Sequence, residues 1–341
     1  MEVVRGYKEL PENIKKKLSG ANVFFTENYE QYIRKSGQEM LYVYSELLVI
    51  PVVVYRKIKI KYAMYVSEYF ELTEQCSIEE KKAFLNEVQD ILKRKEKIAW
   101  VATSAASFFD AFPAKSMRIP FGSHVIDLTR DIDELWGNVH TKHRNSVRKA
   151  EKSNVEVRVG GMELLQDYCL LDNATWERSG KKGYGKGFFE NILDGLKDNA
   201  IIFMAYKDNV PQSGACYFLN HQMCYYMYGA SSDHPETGAT NYMHWEAVKY
   251  LKSIGVKKYS FVGCRIGEDE NSKYHSIQRF KERFGGTLEQ GYMFKTVMSP
   301  WKYQLFNLLY KIKNRTELTD AIDQELPKWK ELQKDRLSMV E

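Results

Sequence analysis

Ile201-Ile202-Phe203-Met204-Ala205-Tyr206, Ala215-Cys216-Tyr217-Phe218-Leu219 and Met223-Cys224-Tyr225-Tyr226-Met227-Tyr228 are three short runs of β-branched, aromatic and apolar residues. Turn chemistry separates them: Asp208-Asn209-Val210-Pro211 after the first and Asn220-His221-Gln222 after the second. Together they read as three consecutive strands. Downstream, the spacing predicts a helix from Thr240 to Ser253, stopped by Gly255, and then the strand Lys258-Tyr259-Ser260-Phe261-Val262. A helix around Ile277 to Phe284 leads through Gly285-Gly286 to a strand ending near Val297. Upstream lie a strand from Val155 to Val159 and helices from Met162 to Arg178 and Phe188 to Leu196, the two helices flanking a glycine-rich loop.

Helices, an antiparallel hairpin, a helix and another strand, in that order, resemble the acetyltransferase-type (GNAT) fold. The first half carries a looser version. Met40 to Tyr44 and Leu48 to Val54 read as strands, and Arg56 to Tyr62 alternates basic and apolar residues like a lysine-protected edge strand. Ser77 and Glu80 form a capping-box pattern opening a helix to Lys95, followed by the strand Lys97 to Thr103. One further helix is expected from Thr129 or Asp131 to about Lys152, its buried stripe being Leu135, Val139, His143, Val147 and Ala150. The expectation is an α+β protein of two tandem GNAT-like (acyl-CoA N-acyltransferase-like) domains, residues 1–152 and 153–298, with a helical tail over 299–341.

Composition narrows the function. The 341 residues carry 50 basic and 45 acidic side chains, a net +5, with 44% hydrophobic residues. That excludes a disordered or fibrous chain and is too mild a bias for a dedicated DNA binder, while leaving room for one local basic patch. The longest apolar run, Leu47 to Val54, is too short to span a bilayer. Met1-Glu2-Val3-Val4-Arg5 lacks a signal-peptide core, and five cysteines without a Cys-x-x-Cys pair read as reduced thiols. A cytoplasmic protein is expected, able to work at the inner face of the membrane.

The strongest electrostatic feature is Lys142-His143-Arg144-Asn145-Ser146-Val147-Arg148-Lys149-Ala150-Glu151-Lys152. Arg144, Arg148 and Lys152 share a helical face that can clamp a diphosphate or carboxylate, or can simply be solvated. Lys181 to Gly187 reads as a mobile surface loop or a lid. Gly229-Ala230-Ser231-Ser232-Asp233 and Gly238-Ala239-Thr240-Asn241 bracket a pocket floor, with Asn241, His244 and Trp245 on the first turns of the next helix; Thr240 capping and a buried Trp245 are the structural alternative. The seven histidines form no metal motif, and no Gly-x-Ser-x-Gly elbow is present, so neither a metal nor covalent catalysis is expected.

Lys142-x-Arg144-Asn145-x-x-Arg148-Lys149-Ala150-x-Lys152, Tyr228-Gly229-Ala230, Gly238 to Ala247 and Phe280-Lys281-Glu282-Arg283-Phe284-Gly285-Gly286 stand in one order and spacing. Together they resemble the FemABX peptidyltransferases and their BioF2-like acetyltransferase relatives, over roughly residues 20 to 300. The resemblance implies transfer of an aminoacyl or acyl group to an amine of a cell-envelope precursor, peptidoglycan or surface glycan. The donor it implies is aminoacyl-tRNA, or acyl-CoA as in an amino-sugar N-acyltransferase, with no tightly bound cofactor. Lys281 would sit near the donor ester or its phosphates, with Tyr228 or Asp233 as proton acceptor and Glu246 as a further candidate. Arg144 and Arg148 would help hold an anionic part of a substrate, Tyr228 and Asn241 would line the groove, and Lys142, Arg178, His244 and Trp245 are further substrate-binding candidates. The charged helical arm of some members is absent. A catalytically silent GNAT-like binding module is the reading from another class. Finally, residues 301, 305, 308, 309 and 312 share an apolar face beside lysines, giving a helix that packs on the first domain or makes peripheral contact with a membrane through residues 301–315.

Overall fold

The computed structural model describes residues 1–267, 272–315 and 320–338. In chain order the first elements are β1 (Glu2–Val4), α1 (Glu12–Leu18), α2 (Glu27–Lys35), β2 (Glu39–Tyr44), β3 (Leu48–Lys57), β4 (Ile60–Tyr65), β5 (Phe70–Glu71), α3 (Ile78–Arg94), β6 (Trp100–Thr103) and β7 (Met117–Asp127). There follow α4 (Ile132–Asn138), α5 (Thr141–Lys152), β8 (Glu156–Gly160), α6 (Leu165–Glu177), α7 (Lys186–Leu196), β9 (Ala200–Lys207), β10 (Val210–Leu219) and β11 (Met223–Ser231). The last are α8 (Ala239–Ser253), β12 (Lys258–Ser260), β13 (Cys264–Arg265), α9 (Lys273–Glu282), β14 (Thr287–Val297), α10 (Pro300–Asn314) and α11 (Ala321–Ser338).

Two compact units emerge, neither continuous in sequence. Unit 1 comprises Met1–Lys17, Gln38–Gly122 and Gln290–Glu341; unit 2 comprises Leu18–Gly37 and Ser123–Glu289. The expected segments 1–152, 153–298 and 299–341 are continuous, and the difference has a physical source. β6 takes residues 295–297 of β14 as its antiparallel partner, and β12 takes residues 125–127 of β7. Strand pairing late in the chain thus completes the first unit, a long-range event that local periodicity does not report.

Both units follow one plan. In unit 1, β2-β3-β4 is an antiparallel meander and α3 carries the chain to β6, parallel to β4. In unit 2, β8-β9-β10-β11 is antiparallel and α8 carries the chain to β12, parallel to β11. This is the duplicated GNAT-like, α+β arrangement expected from the order of elements. The capping box on α3 is present: Glu80 N–H donates to Ser77 Oγ at 3.2 Å, and Ser77 N–H donates to Glu80 Oε2 at 2.8 Å.

Three expectations are corrected. Arg56 to Tyr62 is a hairpin rather than one edge strand: Ile58 and Lys59 both have positive φ (52° and 60°), and β3 lies inside the sheet between β2 and β4. Without Gly or Asn at the turn, the sequence carried no turn signal. Pro51 is tolerated in that interior strand because it falls where β3 changes neighbours, between pairing to β5 at Leu48–Val49 and to β4 from Val52, so no ladder needs its missing N–H. Second, the helix expected to run unbroken to Lys152 is two, α4 and α5, parted at Val139 and His140. All five stripe residues are nevertheless buried. Third, α8 is preceded by Gly238 at φ +88°, where a Cβ would meet the Ser146 carbonyl oxygen at 2.1 Å; Thr240 is not the cap. Glycine is required there both by its left-handed backbone and by the close approach of α5.

Candidate active site

The break between α4 and α5 becomes intelligible from what it touches. His140 N–H donates to the Arg283 carbonyl at 2.8 Å, and His143 Nε2 lies 3.0 Å from the Phe280 carbonyl. The His143 ring packs on Phe280 and Phe284, and burial pulls it down to about 4, so it is neutral at physiological pH and its Nε2–H is the donor. Gly285, at φ +79°, lets the Asn138 carbonyl come within 2.6 Å of where a Cβ would stand. The basic segment at 142–152 and the Phe280–Gly286 segment, far apart in sequence, are thus fastened to each other by backbone.

Between these fastenings sits Lys281. It is 8% exposed, and its ammonium donates to the carbonyls of Gly263 (2.8 Å) and Val262. Those carbonyls converge because Val262 (φ 49°) and Gly263 (φ 63°) are both left-handed. A β-branched residue in that region is a true outlier, costing on the order of 1–3 kcal/mol, and such strain clusters at functional sites. Burial, only weakly opposed by Cys264, lowers Lys281 to about 8. An ammonium has three hydrogens, so one remains without an acceptor among the described residues. No carboxylate pairs with it among them. On an adjoining side of α9, a cavity of about 330 Å³ is lined by His124, Cys264, Arg265, His275, Gln278 and Arg279, among others. His124 there is buried, and its Nδ1 has no hydrogen-bond partner among the described residues.

The remaining expected site residues fall into separate roles. Arg144 is occupied: it donates to the carbonyls of Gly137 (2.8 Å) and Val139 and to Thr141 Oγ1, closing the C-terminus of α4. Arg148 is exposed, its guanidinium 5.7 Å from the Trp136 ring, and Trp136 packs in turn on Trp245. Lys142 is exposed, with its backbone N–H capped by His140 Nδ1. Arg178 and Asp233 pair with each other at 2.8 Å; Arg178 also donates to the Ser231 carbonyl and hydroxyl, pinning the end of β11 to α6. The Tyr228 ring is half-buried among Tyr184, Phe188 and Phe189. Asn241 is half-buried at the start of α8.

His244 and Trp245, expected among the substrate binders, are both buried. Trp245 belongs to the unit 2 core, and His244 is fully enclosed, its Nδ1 within 3.0 Å of Tyr217 OH and 2.8 Å of Tyr259 OH. Burial holds its imidazole neutral, at about 3. The loop 181–187 is tethered at its middle, where Tyr184 N–H donates to Asp172 Oδ2 at 2.9 Å. Sequence reasoning missed the Val262–Gly263 turn and His124. The turn's only signal was a glycine directly after a short strand. Among the described residues no cluster of three or more His, Cys, Asp or Glu could hold a metal ion.

The FemAB family model matches residues 114–209 and 204–311, more than half of the chain. The chain belongs to the FemAB family. Among its relatives is the lipid II:glycine glycyltransferase of Staphylococcus epidermidis, 30% identical over 249 residues, covering 54% of this chain and 59% of that protein. The Staphylococcus aureus protein of the same name is 20% identical over 235 residues, covering 49% of this chain and 56% of that protein. The chain thus spans less than two thirds of the length of these curated relatives. Its fold is that of FemX, with a TM-score of 0.67 at 18% identity over 89% of this chain and 99% of that one. The C-terminal domain of a putative lysylphosphatidylglycerol synthetase from Agrobacterium fabrum superposes with a TM-score of 0.55 at 10% identity, over 82% of this chain and 91% of that one. In this FemAB protein the matched region contains α5, the strained turn that holds the Lys281 ammonium, and α9, which carries it.

Proposed function

We propose that this FemAB protein forms an amide bond by transferring an aminoacyl group from an activated ester, that of aminoacyl-tRNA, to a primary amine of a peptidoglycan precursor of the lipid II type. The amine lone pair attacks the ester carbonyl carbon and the C–N bond forms. The ester C–O bond then breaks, the departing oxygen leaves as a hydroxyl, and the amine gives up one proton. No covalent enzyme intermediate is needed, so the protein's work is positioning and charge stabilisation. The observation that carries the reading is Lys281: a buried cation with one hydrogen to offer, held by two carbonyls of a strained turn, in a family whose curated relatives are glycyltransferases. Its remaining N–H is suited to a donor phosphate or to the oxygen that becomes negative during attack. Asp233, already paired with Arg178, and Glu246, paired with Lys249, are poor proton acceptors, which leaves that role to Tyr228 or to a second substrate group. Work at the inner face of the cytoplasmic membrane follows from a lipid-linked acceptor.

The test is transfer measured with purified protein, charged tRNA and acceptor, comparing Lys281→Met and Lys281→Arg with Asp233→Asn. Lys281→Met is expected to lower kcat/KM by at least about 100-fold, the scale of removing one oxyanion-type donor, and Asp233→Asn by less than about tenfold. Lys281→Met within threefold of wild type would overturn the role. Turnover with acyl-CoA but not with charged tRNA would move the assignment to the amino-sugar N-acyltransferase reading.

A further inference from the structure

Helix α10, in unit 1, reads Pro300-Trp301-Lys302-Tyr303-Gln304-Leu305-Phe306-Asn307-Leu308-Leu309-Tyr310-Lys311-Ile312-Lys313-Asn314 and contains no acidic residue. One side is anchored. Phe306 is buried with Ile60, Ala99 and Trp100, and Tyr303 and Tyr310 pack against the same cluster. That side is the helix's attachment to its own unit. Opposite it, at spacings of four, three and four, run Trp301, Leu305, Leu308 and Ile312, which are 64%, 41%, 56% and 68% exposed. With 3.6 residues per turn these four form one narrow stripe, and Phe306 and Tyr310 lie well round the helix from it. Of the two settings expected for the apolar face, packing on the first domain or contact with a membrane, these four residues are not packed inward; Phe306, Tyr303 and Tyr310 do the packing.

The surroundings say what would cover the stripe. Lys302 and Lys311 stand on its two shoulders, and Lys313 and Arg315 follow at the C-terminal end. An exposed apolar stripe with Trp at one end, flanked on both sides by cations on a helix that itself carries no acidic residue, is the geometry of a helix lying in the plane of an anionic lipid interface. There the apolar side chains enter the acyl boundary while lysine stems reach outward to the headgroups. A second copy using the same face would bring like charges together, which disfavours self-association. No described helix is long and apolar enough to cross a membrane.

We propose that α10 docks unit 1 on an anionic membrane surface through Trp301, Leu305, Leu308 and Ile312. The inference is independent of the transfer reading, because binding is measured without donor or acceptor. The full chain is sedimented with vesicles of phosphatidylcholine alone and with vesicles containing phosphatidylglycerol at one third. Binding is expected to be at least tenfold tighter to the anionic vesicles and to weaken as salt is raised. The double variant Trp301→Ser, Leu308→Ser should lose at least tenfold in vesicle affinity with an unchanged melting temperature, since both side chains are already in water. Lys302→Glu with Lys311→Glu should abolish the preference for anionic lipid. Equal binding by wild type and the serine variant would overturn the proposal. So would absence of vesicle binding, or a concentration-dependent dimer that the serine variant dissolves.

Discussion

Replacing Lys281 by Met should make the folded protein more stable at neutral pH relative to alkaline pH, although it removes two hydrogen bonds. Burial lowers the Lys281 ammonium from its ordinary 10.5 to about 8. Between those values the unfolded chain binds the proton more tightly than the folded one, so wild-type stability rises with pH across that window. At pH 7 the charged side chain costs the fold roughly 3 kcal/mol relative to its neutral form; by pH 9.5 about 1 kcal/mol of that remains. Methionine fills similar volume and carries no such penalty, but it leaves the Val262 and Gly263 carbonyls unpaired, at about 1–2 kcal/mol. The variant is therefore expected to match or exceed wild type by up to about 2 kcal/mol at pH 7, and this advantage should shrink by about 2 kcal/mol on going to pH 9.5. Urea unfolding of both proteins at several pH values gives the difference directly. A variant that is less stable by the same amount at pH 7 and pH 9.5 would refute the argument that burial of charge dominates at this site.

Two other perturbations probe the supports around it. Arg144→Ala removes the guanidinium that closes α4, so about 1–2 kcal/mol of stability should be lost, and Arg144→Lys should recover under half, because an ammonium cannot reproduce the fork; the urea midpoint reads both. In unit 1, Lys295 is 1% exposed and bonds to Asp320, Asp323 and Tyr303; burial would lower its pKa, but the Asp320 and Asp323 carboxylates outweigh that and hold it above the ordinary lysine range. Lys295→Met should therefore cost about 2–3 kcal/mol and loosen the start of α11, seen as faster tryptic cleavage after residue 315.

Local chemistry was legible wherever one short stretch decided the outcome. The capping box at Ser77, the meander at 201–228, the stop at Gly255 and the stripe from Leu135 to Ala150 all stand in the structure. What escaped was set by contacts remote in sequence. The turn at Ile58–Lys59 uses non-glycine residues in left-handed conformations, and the α4–α5 break exists because its backbone docks on the end of α9. Among site residues, Lys281 was visible as part of a motif, whereas the turn that buries it was not. Arg144 and Arg178 looked like ligand-binding cations because charge and spacing cannot tell a guanidinium facing substrate from one closing a helix or holding a strand end. His244 looked like a pocket residue because helical position alone does not reveal that Tyr217 and Tyr259 arrive from other strands to enclose it.

The most direct measurement of the central claim is mass analysis of the acceptor after incubation with the protein and a tRNA pool charged with isotopically labelled amino acids. A gain of one aminoacyl residue, in a bond stable to mild alkali that cleaves esters, and dependent on Lys281, is the expected result. An acceptor left unmodified by charged tRNA, or modified equally by Lys281→Met, would contradict it.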